Sequence, residues 1–154
     1  MHRTIAQIAL VVADYDEAIA FYTQKLQFQL LEDTRMSELK RWVVLAPPGG
    51  EGCRLLLAKA ANDEQRSRVG DQTGGRVFLF LHTDDLQRDH ALLLQHGVRI
   101  VRGPAEEAWG KVLVFAEVRG QDGQPYPADL RTRLKQLTEA LYAKDGTVAS
   151  FAHE

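Results

Sequence analysis

The stretch IAQIALVVADYDEAIAFYTQKLQF, residues 5–28, decides the fold. Residues 5–12 are apolar and β-branched, the composition of a strand, and the run stops at Ala13-Asp14-Tyr15-Asp16, where an aspartate carboxylate can cap a following helix. From Glu17 the apolar residues Ala18, Ile19, Phe21, Tyr22 and Leu26 recur at helical spacing, while Glu17, Gln24 and Lys25 stay polar. A strand therefore leads into an amphipathic helix. Three short strand-like runs follow at 28–31, 42–46 and 54–58, the last two separated by the turn Pro47-Pro48-Gly49-Gly50.

After a polar stretch over 62–75 the same order begins again. Residues 77–82 read as a strand, and Asp84 and Asp85 can cap a helix carrying Leu86, Leu92, Leu93 and Leu94. That helix ends near His96-Gly97, where glycine suits a left-handed C-terminal cap. Further strands are expected at 98–101 and 112–115. The copies match in spacing as well as order, because Asp14 lies seven residues after Gln7 and Asp85 seven after Phe78.

Composition bounds the rest. A chain of 154 residues with 45% apolar and 26% charged residues holds enough material for one ordinary core. Its longest apolar stretch is far short of the roughly 20 residues that span a bilayer, and the N-terminus lacks a secretory pattern, so a cytoplasmic protein without a membrane partner is expected. The lone Cys53 forms no internal disulfide and fits a reducing compartment as a small hydrophobe. A net charge of −2 with scattered Lys and Arg supplies no field for a phosphate backbone, which excludes nucleic acid as an expected partner.

Residues 5–28 closely resemble the opening of vicinal oxygen chelate proteins, the glyoxalase, bleomycin-resistance and extradiol-dioxygenase type. The resemblance continues through GGRVFLFLHTDDL (74–86), HGV (96–98) and EEAWGKVLVFAEVRGQ (106–121). It implies an α+β fold of paired βαβββ modules forming a curved mixed sheet around a small-molecule cavity, often within a homodimer. Module one would span about 4–60 and module two about 75–128, together a domain over 1–128, with a tail over 129–154.

In metal-using relatives the ligands come from the first and last strands of each module. Carried over singly, those positions fall on Gln7, a weak amide donor, on Leu56 in CRLLLAKA, on Phe78, and near Gln124 in EVRGQDGQPYPADL, where the closing strand departs from the family pattern. Two hydrocarbons cannot ligate anything, so no metal and no other cofactor is expected. His82 alternates with Phe78 and Phe80 and would share their face. It is a candidate proton acceptor, with Glu117 as a second, against the plainer reading of a strand-end histidine bonded to backbone or water. His90 and His96 read as helix-surface or capping residues.

The expected cavity lining is Gln7, Ala9 and Val11 with Leu56, Phe78 and Phe80 opposite, Phe115 from the later strand, and Trp42 or Trp109 at the rim. Arg54, His82, Lys111 and Glu117 join Gln7 as polar groups able to orient a ligand. Two functions stay in play. One is a carrier or sequestering protein for a small apolar or aromatic molecule. The other is a divalent-metal lyase, isomerase or dioxygenase, and fold alone does not choose between them. Beyond Gln121 the resemblance fails. Leu130, Leu134, Leu137 and Leu141 form one stripe of an amphipathic helix over 129–144, expected in place of the usual last strand. That helix is expected to pack on its own sheet, the alternatives being that it docks on a partner subunit or lids the cavity.

Overall fold

The computed structural model describes residues 1–74, 76–108, 110–118 and 147–153, with backbone alone for 117, 118 and 147–153. The chain divides into two compact units, Met1–Val69 and Gly70–Glu154. Each builds one four-stranded mixed sheet.

In the first unit, β1 (Gln7–Val12) leads into α1 (Tyr15–Ala20), which continues as a π-helical turn over Phe21–Lys25. Asp14 caps α1 as expected, its carboxylate accepting the backbone N–H groups of Asp16 at 2.9 Å and Glu17 at 3.2 Å. The helix ends at Gln27, which takes a left-handed φ of 58°. Strands β2 (Gln29–Arg35), β3 (Arg41–Ala46) and β4 (Arg54–Lys59) follow, then a single turn, α2 (Asp63–Arg66), inside the stretch read from sequence as polar loop. The sheet order is β1-β4-β3-β2, with β1 and β4 parallel and the other pairs antiparallel.

α1 covers one face of this sheet. Arg41, Val43 and Leu45 alternate along β3, and Arg41 bonds to Asp16 of α1, so the helix face holds these three with Leu10, Leu55 and Leu57. Leu10, Val43, Leu45 and Leu57 are almost wholly buried there. Each such side chain contributes about 1.5–3 kcal/mol of apolar burial.

The second unit runs β5 (Leu79–His82), α3 (Leu86–Gln95), β6 (Arg99–Glu107), β7 (Gly110–Val118) and β8 (Thr147–His153). Asp85, rather than Asp84, caps α3, and Gly97 takes the expected left-handed turn with φ 66°. The spatial order β5-β8-β7-β6 repeats that of the first unit. The direction of the fourth strand does not: β8 is antiparallel to β5 and parallel to β7.

This corrects one expectation. The last strand is not replaced by a helix, because Thr147–His153 supplies it, beyond the segment where the family pattern places it. The sequence explains the displacement: Pro125 and Pro127 each lack a backbone donor, which disfavours a central strand directly after β7. A parallel β7–β8 pair needs a crossover of a dozen or more residues, and 119–146 is long enough to provide one. The helix expected over 129–144 and the Gln124 position both lie outside the described residues.

Candidate ligand-binding site

The face of the first sheet opposite α1 is the candidate site. Gln7, Ala9 and Val11 alternate toward it from β1, and register places Arg54 beside Gln7 and Leu56 beside Ala9, with Ala58 beside Val11. Val44 lies beside Leu56, with Trp42 and Ala46 two residues to either side. The row ends on β2, where Glu32 pairs with Val44, Thr34 with Trp42 and Gln29 with Ala46. A bulge between Leu30 and Glu32 makes this possible by turning Glu32 and Thr34 to the side of Gln29. Register puts four of the candidate residues, Gln7, Trp42, Arg54 and Leu56, on one face, and Glu32 joins them unforeseen. Ala9, Arg54, Glu32 and Thr34 are exposed, while Gln7, Trp42 and Leu56 are half-buried.

The two faces treat charge differently. On the helix side, a cleft of about 640 Å³ is lined by Asp14, Asp16, Asp33, Glu38, Arg35, Arg41 and Lys59 around Tyr15. Its charges are matched internally. Arg41 donates Nε–H to Asp33 Oδ1 at 2.9 Å and Nη1–H to Asp16 Oδ1 at 2.6 Å, and its guanidinium lies 5.3 Å from the centre of the Tyr15 ring. Lys59 reaches Asp14 at 3.4 Å and Arg35 reaches Glu38 at 2.8 Å. The Arg41 hydrogen bond holds the Asp33 carboxyl below the usual carboxylate range, and the Glu17 backbone N–H does the same for Asp14. Among the described residues of this sheet, the charged side chains on the open face are Glu32 and Arg54. Glu32 accepts a hydrogen bond from the Thr34 hydroxyl at 3.0 Å but meets no cation, and Arg54 meets no anion among the described residues.

In the second unit Phe80 and His82 lie on one face of β5, both exposed, with Phe78 half-buried just before the strand. Cross-sheet register decides which β7 residues share that face. Phe80 aligns through Ala149 with Val114 and then Arg102, whereas Leu79 aligns through Ser150 with Phe115. Phe115 therefore lies on the face opposite Phe80 and is 0% exposed, a core residue rather than a lining one. Lys111 has the same parity and pairs with Glu106 at the hairpin end, so it too leaves the Phe80 face. His82 makes no side-chain hydrogen bond among the described residues. Trp109 and the Glu117 side chain lie outside them.

The described donor positions do not by themselves fit a divalent metal. Of the positions carried over from metal-using relatives, Leu56 and Phe78 are hydrocarbons, and Gln7 stands beside the cationic Arg54, which opposes a second cation. Among the described residues no group of three or more His, Cys, Asp or Glu side chains is placed to hold a metal ion.

Comparison with known families matches residues 4–125 to the description Glyoxalase/Bleomycin resistance protein/Dioxygenase superfamily. The chain belongs to this superfamily. An uncharacterized protein of Shewanella frigidimarina is 53% identical over 121 residues, covering 78% of this chain and 90% of the relative. Among solved structures, UcmS2 aligns with a TM-score of 0.66 at 21% identity over 99% of both chains. TnmS3, described as an antibiotic binding protein from Streptomyces sp. CB03234, aligns with a TM-score of 0.60 at 21% identity, over 99% of this chain and 98% of its own. At such identities the likeness shows the glyoxalase-type α+β fold.

Proposed function

We propose that this superfamily member binds a small apolar or aromatic molecule on the open face of its first sheet, without a metal ion. One observation carries the reading: that face has an apolar floor of Ala9, Val11, Val44, Ala46, Leu56 and Ala58 with Trp42 beside it, where a metal site would need Glu or His. A half-buried indole beside an aliphatic floor suits a flat ligand, because burial supplies affinity and a few polar groups supply orientation. The antibiotic-binding description of TnmS3, a neighbour in fold, agrees with such a role. The same reading takes the protein as a cytoplasmic homodimer with no nucleic-acid or membrane partner. It is consistent with a net charge of −2 and with the absence, among described residues, of a helix long and apolar enough to cross a membrane.

A thermal-shift screen of aromatic and polycyclic small molecules against the full chain tests it. Hits that stabilise the protein, and lose their effect in Leu56→Glu and Trp42→Ala, are the expected result. A library without hits, or hits indifferent to both substitutions, would overturn the assignment of the site.

A further inference from the structure

The open face of the first sheet is dipolar, and this names a ligand class. Resting on the binding role proposed above, we infer that the ligand is amphoteric: an apolar, flat body with an acidic group at one end, held by Arg54 and Gln7, and a basic group at the other, held by Glu32. Three observations carry this.

The first is pairing. The helix-side cleft matches its carboxylates and cations to one another, through Arg41 to Asp33 and Asp16, Lys59 to Asp14 and Arg35 to Glu38. The two charged side chains of the open face, Arg54 and Glu32, have no counter-ion among the described residues, although both signs are present on that face. The second is the donor chemistry at each end. Arg54 and Gln7 are direct partners in the β1–β4 ladder, so a guanidinium fork and a carboxamide stand side by side. Both offer N–H groups, a pairing that suits a carboxylate with two oxygens to satisfy. At the other end the Thr34 hydroxyl donates to Glu32 at 3.0 Å, which steadies the carboxylate and leaves its second oxygen available to an ammonium.

The third is spacing. Arg54 lies two residues along β4 from Leu56, and Leu56, Val44 and Glu32 form one row across β4, β3 and β2. Two strand spacings across and two residues along put the Arg54 and Glu32 Cα atoms roughly 12 Å apart. That span suits a ligand about one ring system long, lying between the two charges beside the half-buried Leu56.

The test is a matched set of four probes titrated by calorimetry into the full chain: para-aminomethylbenzoate, benzoate, benzylamine and benzyl alcohol. The amphoteric probe should bind tightest, ahead of either singly charged probe by about five-fold, the scale of a partly exposed ion pair. Arg54→Gln should erase the advantage of the acid group and leave that of the amine, and Glu32→Gln should do the reverse. Both residues are exposed, so neither change should lower the Tm, and circular dichroism checks this. Equal affinity for all four probes, or advantages that survive both substitutions, would overturn the amphoteric assignment while leaving an apolar binding site. No measurable binding of any probe, benzyl alcohol included, would overturn both readings.

Discussion

The two units arrange four strands in the same spatial order, yet they close their sheets in opposite ways. In the first, β4 follows β3 through the tight turn at Pro47–Gly50 and comes to lie parallel to β1. In the second, β8 arrives after the connection over 119–146, parallel to β7 and antiparallel to β5. Strand order is thus preserved where strand direction is not. A sheet needs a partner for each inner edge, and a strand of either direction satisfies that need. The faces differ as well. The first unit presents Arg54 and Glu32 at separate points of one sheet face, and in the second Phe80 and His82 are exposed on the edge strand of a face whose Val112, Val114 and Ala116 are buried.

Removing β8 should break this comparison most visibly. β5 pairs with β8 alone among the described strands, so truncation before Thr147 strips its four residues of every ladder partner, each lost hydrogen bond costing about 1 kcal/mol. Hydrogen exchange should show β5 amides unprotected while Arg54–Lys59 in the first sheet stays protected. Protection of β5 in the truncated chain would show that β8 is not its partner.

Phe115 and Phe80 sharpen the contrast between faces of the second sheet. Phe115→Ala should cost about 3–5 kcal/mol in denaturant unfolding, because a wholly buried ring leaves a cavity. Phe80 is 47% exposed, and its replacement by alanine should cost less than half as much. Equal losses would mean that the register through β8 is wrong.

Asp33 and Glu32 are neighbours on β2 with opposite roles. Arg41 holds Asp33 below the usual carboxylate range, so its charged form is favoured in the folded state. That contribution is fully present above the unfolded pKa of about 4 and fades as pH falls through the lower folded value. Asp33→Asn should therefore lower stability at neutral pH by about 1 kcal/mol, discounted for partial exposure, and converge with the parent chain in acid. Glu32→Gln should leave stability unchanged at both pH values.

A smaller effect of opposite sign is expected at Gln27. Its φ of 58° lies in the left-handed region, which glycine adopts without steric penalty. Gln27→Gly should raise stability by about 0.5–1 kcal/mol, read as a higher denaturant midpoint with unchanged m-value.

Local signals in the sequence were legible where a single element decides them. The caps Asp14 and Asp85 and the left-handed Gly97 follow from local spacing, whereas the grouping of Gln7, Arg54, Leu56 and Trp42 drew on the family resemblance. What required long-range pairing was not. Glu32 joins the open face because of the bulge after Leu30, which shifts parity in a strand whose apolar run stops at Leu31. Phe115 and Lys111, expected among the ligand-binding residues, lie on the face opposite Phe80, and nothing in the sequence ties β7 parity to β5. The strand that ties them, β8, lies beyond the prolines and the leucine stripe, where the family pattern offers no guide.

The most direct test of the central claim, a binding face that works without metal, is elemental analysis of protein purified without chelator, joined to Tm measurements with nickel, zinc, manganese and iron. The donor chemistry at Gln7, Leu56 and Phe78 predicts far less than one metal ion per chain and no shift in Tm. A near-stoichiometric metal, or a large rise in Tm with any of the four, would contradict the account and point to metal-dependent chemistry instead.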